Sequence, residues 1–124
     1  MAGDRDATCA VGHYRAALAR LRPGESRPDL CEVLEFLGWA LAADGQCGAA
    51  ARLLAFAERK RTDMGIVLPL IDRPHHDHAL GTMRAALGEQ GFAAAWVEGQ
   101  ALGMKEAIAV ALADQDELTD DHRR

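Results

Sequence analysis

The chain has 124 residues and a formal net charge of −5, so it lacks the positive field with which proteins attract nucleic acid or anionic membranes. Hydrophobic residues make up 49% of it, which is enough for a packed core and too many for intrinsic disorder. The 25 alanines outnumber the 12 Val, Ile and Thr residues, which nearly excludes an all-β fold and favours helices.

The first three predicted helices occupy the first half of the chain, at 7–21, 30–44 and 48–64. The first places four large residues on one face at the spacing of helical turns: Val11, Tyr14, Leu18 and Leu21. The second ends near Gly45. The third ends at Gly65 after a basic last turn, which the helix dipole favours.

A loop follows the third helix and contains five large apolar side chains: Ile66, Val67, Leu68, Leu70 and Ile71. Exposing so many apolar groups to water is unfavourable. The loop is therefore expected to lie across the helices and bury these side chains.

Three more helices are predicted in the second half, at 74–88, 89–101 and 104–113. Pro74 opens the fourth helix at a position where its missing N–H costs nothing, and Gly88 ends it. Glu106 is placed to cap the start of the sixth helix. Residues 1–113 are expected to form one helical-repeat domain and residues 114–124 an acidic frayed tail.

Helices two and three carry the spacing of one tetratricopeptide repeat. The seven positions of this signature are Leu34, Leu37, Gly38, Leu41, Ala50, Leu54 and Ala57. Gly38 and Ala50 are predicted to mark the closest contact of two antiparallel helices. The first helix has the spacing of half of a preceding repeat, so the chain is expected to begin within a repeat. The predicted fold is all-α, with stacked antiparallel helical hairpins of tetratricopeptide-like type.

Longer segments resemble the C-terminal end of bacterial LuxR-type regulators and related regulators that have a STAND-type ATPase core. The resemblance covers residues 10–113, and the matching segments are 34–45, 49–65, 68–69, 84–88, 92–99 and 106–107. It implies the helical-repeat end of a signal-responsive transcriptional regulator, or a remnant of one. The sequence contains no GxxxxGK[ST] motif and no assignable helix-turn-helix segment, so ATP hydrolysis and DNA binding are not implied.

One group of side chains invites a metal: His75, His76, Asp77 and His78. His75 and His78 are three residues apart and can share an ion, whereas His76 points toward the inner face of its helix. A zinc site needs three or four converging ligands. A solvated first helical turn is therefore the favoured interpretation, and no metal or cofactor is predicted.

Two other groups are weaker candidates for chemistry. A small phosphate-binding patch would use Arg52, Arg59, Lys60 and Arg61, but acids interrupt this run and helix C-termini attract cations in any case. The thiols Cys9, Cys31 and Cys47 form no CxxC pair and have no assigned histidine partner. Free thiols, no direct nucleic-acid binding and no enzymatic activity are therefore predicted.

The N-terminal sequence lacks the basic and apolar parts of a signal peptide. The longest apolar stretch, at 36–43, is far shorter than the roughly 20 residues that span a bilayer. A cytoplasmic location without membrane contact is expected.

The predicted function is protein–protein interaction. The predicted partner-binding residues are Val11, Tyr14, Leu18, Leu21 and Trp39. The stripe on the first helix lacks half of its repeat, so a protein partner or a second copy is expected to cover it. Trp39 lies beside the Gly38 contact, at its rim. The alternative is a small-ligand-sensing module with a pocket under the loop 66–71, and a histidine-based metal protein or enzyme is the least favoured hypothesis.

Overall fold

The computed structural model describes residues 5–20 and 30–113. Within these ranges the chain is helical and contains no strand, which confirms the predicted all-α class. The elements are α1 (Arg5–Ala19), α2 (Leu30–Ala43), α3 (Cys47–Met64), a 3₁₀ turn (Leu70–Asp72), α4 (Arg73–Gln100) and α5 (Met104–Leu112). The predicted acidic tail at 114–124 lies outside the described residues.

The predicted ends of three helices are confirmed to within one residue. α3 stops at Gly65, which has a φ of 71° and donates its N–H to the carbonyl groups of Arg61 and Thr62. At the start of α5, Glu106 accepts a 2.8 Å hydrogen bond from the N–H of Gly103. Local capping chemistry therefore defines where these helices begin and end.

α4 is interrupted by a kink at Gly88. This residue has a φ of 74° and a ψ of 165°, a conformation that is essentially restricted to glycine. The kink divides α4 into segments 73–87 and 89–100, and it lies at the predicted boundary between the fourth and fifth helices. The two segments can therefore run in different directions and form two walls of one surface.

α3 is the central helix and packs against both α2 and α4. All five residues of 53–57 are buried. A methyl group added at Gly38 would lie 2.8 Å from the side chain of Leu54 and 3.6 Å from the carbonyl oxygen of Ala50. One added at Gly99 of α4 would lie 2.7 Å from the Cα atom of Arg52 on α3. The predicted close contact at Gly38 is confirmed, and a second glycine makes a similar contact on another side of α3.

α5 folds back against α1, α2 and α3. Its residues Ala107 and Ala111 are fully buried. Arg15 of α1 donates hydrogen bonds to the carbonyl oxygens of Ala111, at 2.9 Å, and Ala113, at 2.7 Å. These carbonyl groups lie at the end of α5, where no further helical turn can bond to them. In a stacked repeat array each unit contacts only its neighbours, whereas α5 here also contacts α1. The tetratricopeptide-like stacking therefore stays a prediction.

Gly99→Ala should lower the free energy of unfolding by about 1–3 kcal/mol, because the new methyl group meets the backbone of α3. Gly81 is the matched control. It also lies in α4, but a methyl group there meets nothing within 4 Å. Gly81→Ala should be neutral or stabilising by up to about 1 kcal/mol. Urea unfolding of both variants measures the difference, and equal stabilities would contradict the close contact at Gly99.

Candidate functional site

The loop between α3 and α4 exposes most of its apolar side chains. Five large residues are 52–82% exposed and together form the apolar patch: Met64, Ile66, Val67, Leu70 and Ile71. The expected burial of this loop is therefore wrong for every apolar side chain except Leu68, which is 9% exposed. Residues 64–71 include no charged side chain, so the patch is uninterrupted along the chain.

Leu68 is buried in the space between α3 and α4. Leu68 lines a cavity of about 320 Å³ with Arg61 and Thr62 of α3 and Asp77 of α4. The 3₁₀ turn, which carries the exposed Leu70 and Ile71, leads directly into α4. This cavity lies at the position expected for a ligand pocket under the loop, but most of its lining residues are polar.

The apolar stripe on α1 is largely buried within the chain itself. Val11 and Leu18 are each 3% exposed, because α1 packs against both α2 and α5. The expectation that these two residues present an apolar surface to a partner is therefore wrong. Tyr14 is half-buried, with its ring centroid 6.3 Å from that of Phe36. Leu21 lies outside the described residues, and a partner role for Tyr14 stays a prediction.

Trp39 is half-buried in a row of rings that crosses from α1 to α4. Its ring centroid lies 5.3 Å from that of Phe36, 6.1 Å from that of His75 and 6.2 Å from that of His76. Tyr14 continues the row beyond Phe36. Sequence reasoning missed the row because its members come from three helices. Only part of the Trp39 ring is available to a partner.

His76 is buried at the α4 end of this row. The Trp39 indole N–H donates to Nδ1 of His76 at 3.3 Å, which places the proton of the neutral ring on Nε2. Burial lowers the pKa of His76, and the positive charge of Arg61 lowers it further. His76 is therefore neutral at pH 7 and connects α4 to α2.

Glu35 of α2 and Arg61 of α3 form a buried ion pair. The Nη2 and Nε atoms of Arg61 lie 2.7 Å and 3.0 Å from Oε2 of Glu35. The side chain of Glu35 is only 6% exposed and that of Arg61 only 14% exposed. Burial raises the pKa of Glu35, although the charge of Arg61 opposes this shift. The pair holds two helices together at the cost of removing two charges from water.

The basic residues of α3 all have partners within the chain. Arg52 forms an ion pair with Glu98 at 2.7 Å, and Arg59 donates to the carbonyl oxygen of Gln100. The Nζ atom of Lys60 lies 5.7 Å from the centre of the Phe56 ring. Together with the Arg61 pair, these contacts occupy the cations that the phosphate-patch hypothesis requires.

Within the described part of the chain, the thiols and histidines show no arrangement typical of a reactive or metal site. The three cysteines are free, and burial raises the pKa of the Cys31 and Cys47 thiols, the opposite of what a nucleophile needs. His75 and His78 are both exposed. Among residues 5–20 and 30–113, no three His, Cys, Asp or Glu side chains are grouped to hold an ion.

A groove of about 490 Å³ opens between the two segments of α4 and the side of α3. Phe92 and Trp96 form one wall, with ring centroids 5.4 Å apart. Arg84 places its guanidinium carbon 5.0 Å from the centre of the Phe92 ring. Glu58 and Glu89 also line the groove. Sequence reasoning missed it because it depends on the kink at Gly88, although the glycine itself is visible in the sequence.

None of the helices in the described ranges is both long enough and apolar enough to cross a bilayer.

Comparisons of the chain with protein-family models, curated proteins and solved structures find no match. The resemblance to LuxR-type regulators therefore stays a prediction from sequence.

Leu68→Asp should lower the free energy of unfolding by about 2–3 kcal/mol, since it replaces a buried apolar side chain with a carboxylate. Leu70 is 80% exposed, so Leu70→Asp should change stability by less than about 0.5 kcal/mol. Thermal unfolding of the two variants measures the contrast. A Leu70→Asp variant as unstable as Leu68→Asp would contradict the exposure of the apolar patch.

Arg61→Met should lower the free energy of unfolding at pH 7 by about 3–5 kcal/mol, because Glu35 is then buried without its cation. The folded-state pKa of Glu35 then rises further above its unfolded value. The folded state binds the proton more tightly, so the loss is largest above this pKa and shrinks as pH falls through it. Urea unfolding at a series of pH values measures this dependence.

Two variants complete this test. Arg59→Met removes a more exposed cation from the same helix and should cost less than about 1 kcal/mol. Glu35→Leu combined with Arg61→Met should restore most of the stability, because two apolar groups replace two charges. A loss that is independent of pH, or no recovery in the double variant, would contradict the role given to Glu35.

Proposed function

We propose that the chain is a non-catalytic helical module for protein–protein interaction. We further propose that it corresponds to the C-terminal end of a signal-responsive LuxR-type transcriptional regulator, or to a remnant of one. The sequence resemblance over 10–113 supports the regulator family. The apolar patch is the observation that carries the interaction function.

The size of the apolar patch supports this function. Its five side chains expose an apolar area on the order of 500 Å², about that of the largest patch on a typical monomer. The largest apolar patch on a monomer is often a functional surface. The proposal therefore assigns the interaction to the loop between α3 and α4.

The partner that we propose is a second copy of this chain. Residues 64–71 carry no charge, so two facing patches meet without like charges at the centre, despite the net charge of −5. Twofold pairing is the commonest way in which a chain covers such a surface. Two patches would bury on the order of 1,000 Å², at the lower end of specific interfaces. Pairing is therefore expected to be weak and reversible.

Light scattering after size exclusion, over a hundredfold range of concentration, tests the pairing. The mass of the wild-type protein should rise from monomer toward dimer. Leu70→Glu combined with Ile71→Glu should hold the protein as a monomer, because these charges face each other across the contact. Val97→Glu is the matched control, since Val97 is 64% exposed and lies outside the patch. This variant should associate like the wild type.

Tyr14→Glu distinguishes the two candidate contact surfaces, which are the face of α1 predicted from the sequence and the apolar patch. Association that is lost in this variant and kept in the double loop variant would return the partner role to α1. A wild-type protein that is monomeric at every concentration would contradict pairing altogether.

A further inference from the structure

The groove at the kink of α4 is a cavity built from two helices. The kink brings Leu80 and Arg84 of one segment close to Phe92 and Trp96 of the other, and Glu58 of α3 lies along the same space. Its volume of about 490 Å³ falls within the range of sites for small molecules, which is about 300–1,000 Å³. The groove is therefore large enough for an aromatic compound.

Two aromatic rings form one wall of the groove. Phe92 is buried and Trp96 is half-buried, and their ring planes are inclined by 34°. The guanidinium carbon of Arg84 lies 5.0 Å from the centre of the Phe92 ring, within the roughly 6 Å of a cation–π contact. This wall therefore already holds a planar cation, which the protein itself supplies.

The charges along the groove favour a cation from outside as well. Glu58 and Glu89 line it, and neither forms an ion pair with another residue of the described ranges. Arg84 is the single cation among the lining residues, since His76 is neutral. The lining thus has one more negative than positive charge at pH 7.

From this combination we propose that the groove binds a small organic cation that carries a flat aromatic ring. The ring of the ligand stacks on Trp96, and its positive group lies close to Glu58 and Glu89. The site goes beyond the protein-interaction function and is independent of it, because none of its argument rests on the apolar patch.

Benzamidinium and benzoate are matched probes, because they share a ring and carry planar head groups of opposite charge. Titration of the full ¹⁵N-labelled chain, followed by two-dimensional NMR, reports both affinity and location. Benzamidinium should shift the Trp96 indole signal and the amide signals of groove residues. Benzoate should bind at least about fivefold more weakly, since the groove opposes its charge.

Removing an acidic or a basic side chain from the groove should change the affinity for benzamidinium in opposite directions. Glu58→Gln and Glu89→Gln should each weaken benzamidinium binding about two- to fivefold, because each removes one attractive charge. Arg84→Gln should strengthen it by a similar factor, because it frees the face of Phe92 and removes a competing cation. Arg73→Gln is the control, since Arg73 is exposed on the same helix and does not line the groove. This variant should leave the affinity nearly unchanged.

Thermal unfolding of each variant confirms that it is folded before titration. The proposal is overturned if benzoate binds as tightly as benzamidinium, or if the shifted signals lie away from the groove. Absence of any shift at tens of millimolar probe would also overturn it. The same holds if Arg84→Gln binds benzamidinium no better than the wild type.

Discussion

α3 can lie at the centre of this domain only because its neighbours present glycine where they cross it. Gly38 of α2 meets Ala50 and Leu54, and Gly99 of α4 meets Arg52 and Ala55. Residues 50 and 54 lie on one side of a helix and residues 52 and 55 on another. Backbones therefore approach α3 from two sides, and neither contact tolerates an added methyl group without movement. Because α3 is enclosed in this way, 53–57 includes no polar residue.

The features that depend on residues close together in the sequence could be predicted from it. Helix ends follow from capping residues such as Gly65, and the kink follows from Gly88, so both are visible in local patterns. The contact between Gly38 and Ala50 could also be predicted, because a short turn brings α2 back along α3. Local chemistry therefore predicted most of the helical framework.

Burial was the property that the sequence predicted least well. Apolar character favours burial, but a side chain is buried only where another element covers it. α2 and α5 pack against α1 and Val11 is buried, whereas nothing in the described ranges covers Ile71, which is 82% exposed. The relative positions of α1, α5 and the loop depend on long-range packing, which residue spacing does not encode. The groove could not be predicted for the same reason, since the position of Gly88 does not determine the direction of the kink.

The charged residues of α3 have partners that are remote in sequence. Arg61 pairs with Glu35, 26 residues away, and Arg52 pairs with Glu98, 46 residues away. In the sequence these cations belong to a group that is considered, and not favoured, as a phosphate-binding patch. In the folded chain they connect α3 to the helices on either side of it. Burial shifts the pKa values of Glu35 and His76, and the charge of Arg61 acts on both, so the electrostatics of the interior also depend on tertiary contacts.

The hydrogen bonds of Arg15 have a consequence for how the chain folds. They join residues 96 and 98 positions apart, which is a large separation for a helical domain. Helical arrays fold quickly because most of their contacts are local, and any unit can nucleate the next. A contact between α1 and α5 that formed before the helices between them had packed would carry the entropy of closing a long flexible loop, so it is expected to form after them. The domain is therefore expected to fold as a single cooperative unit, with the docking of α5 among its last steps.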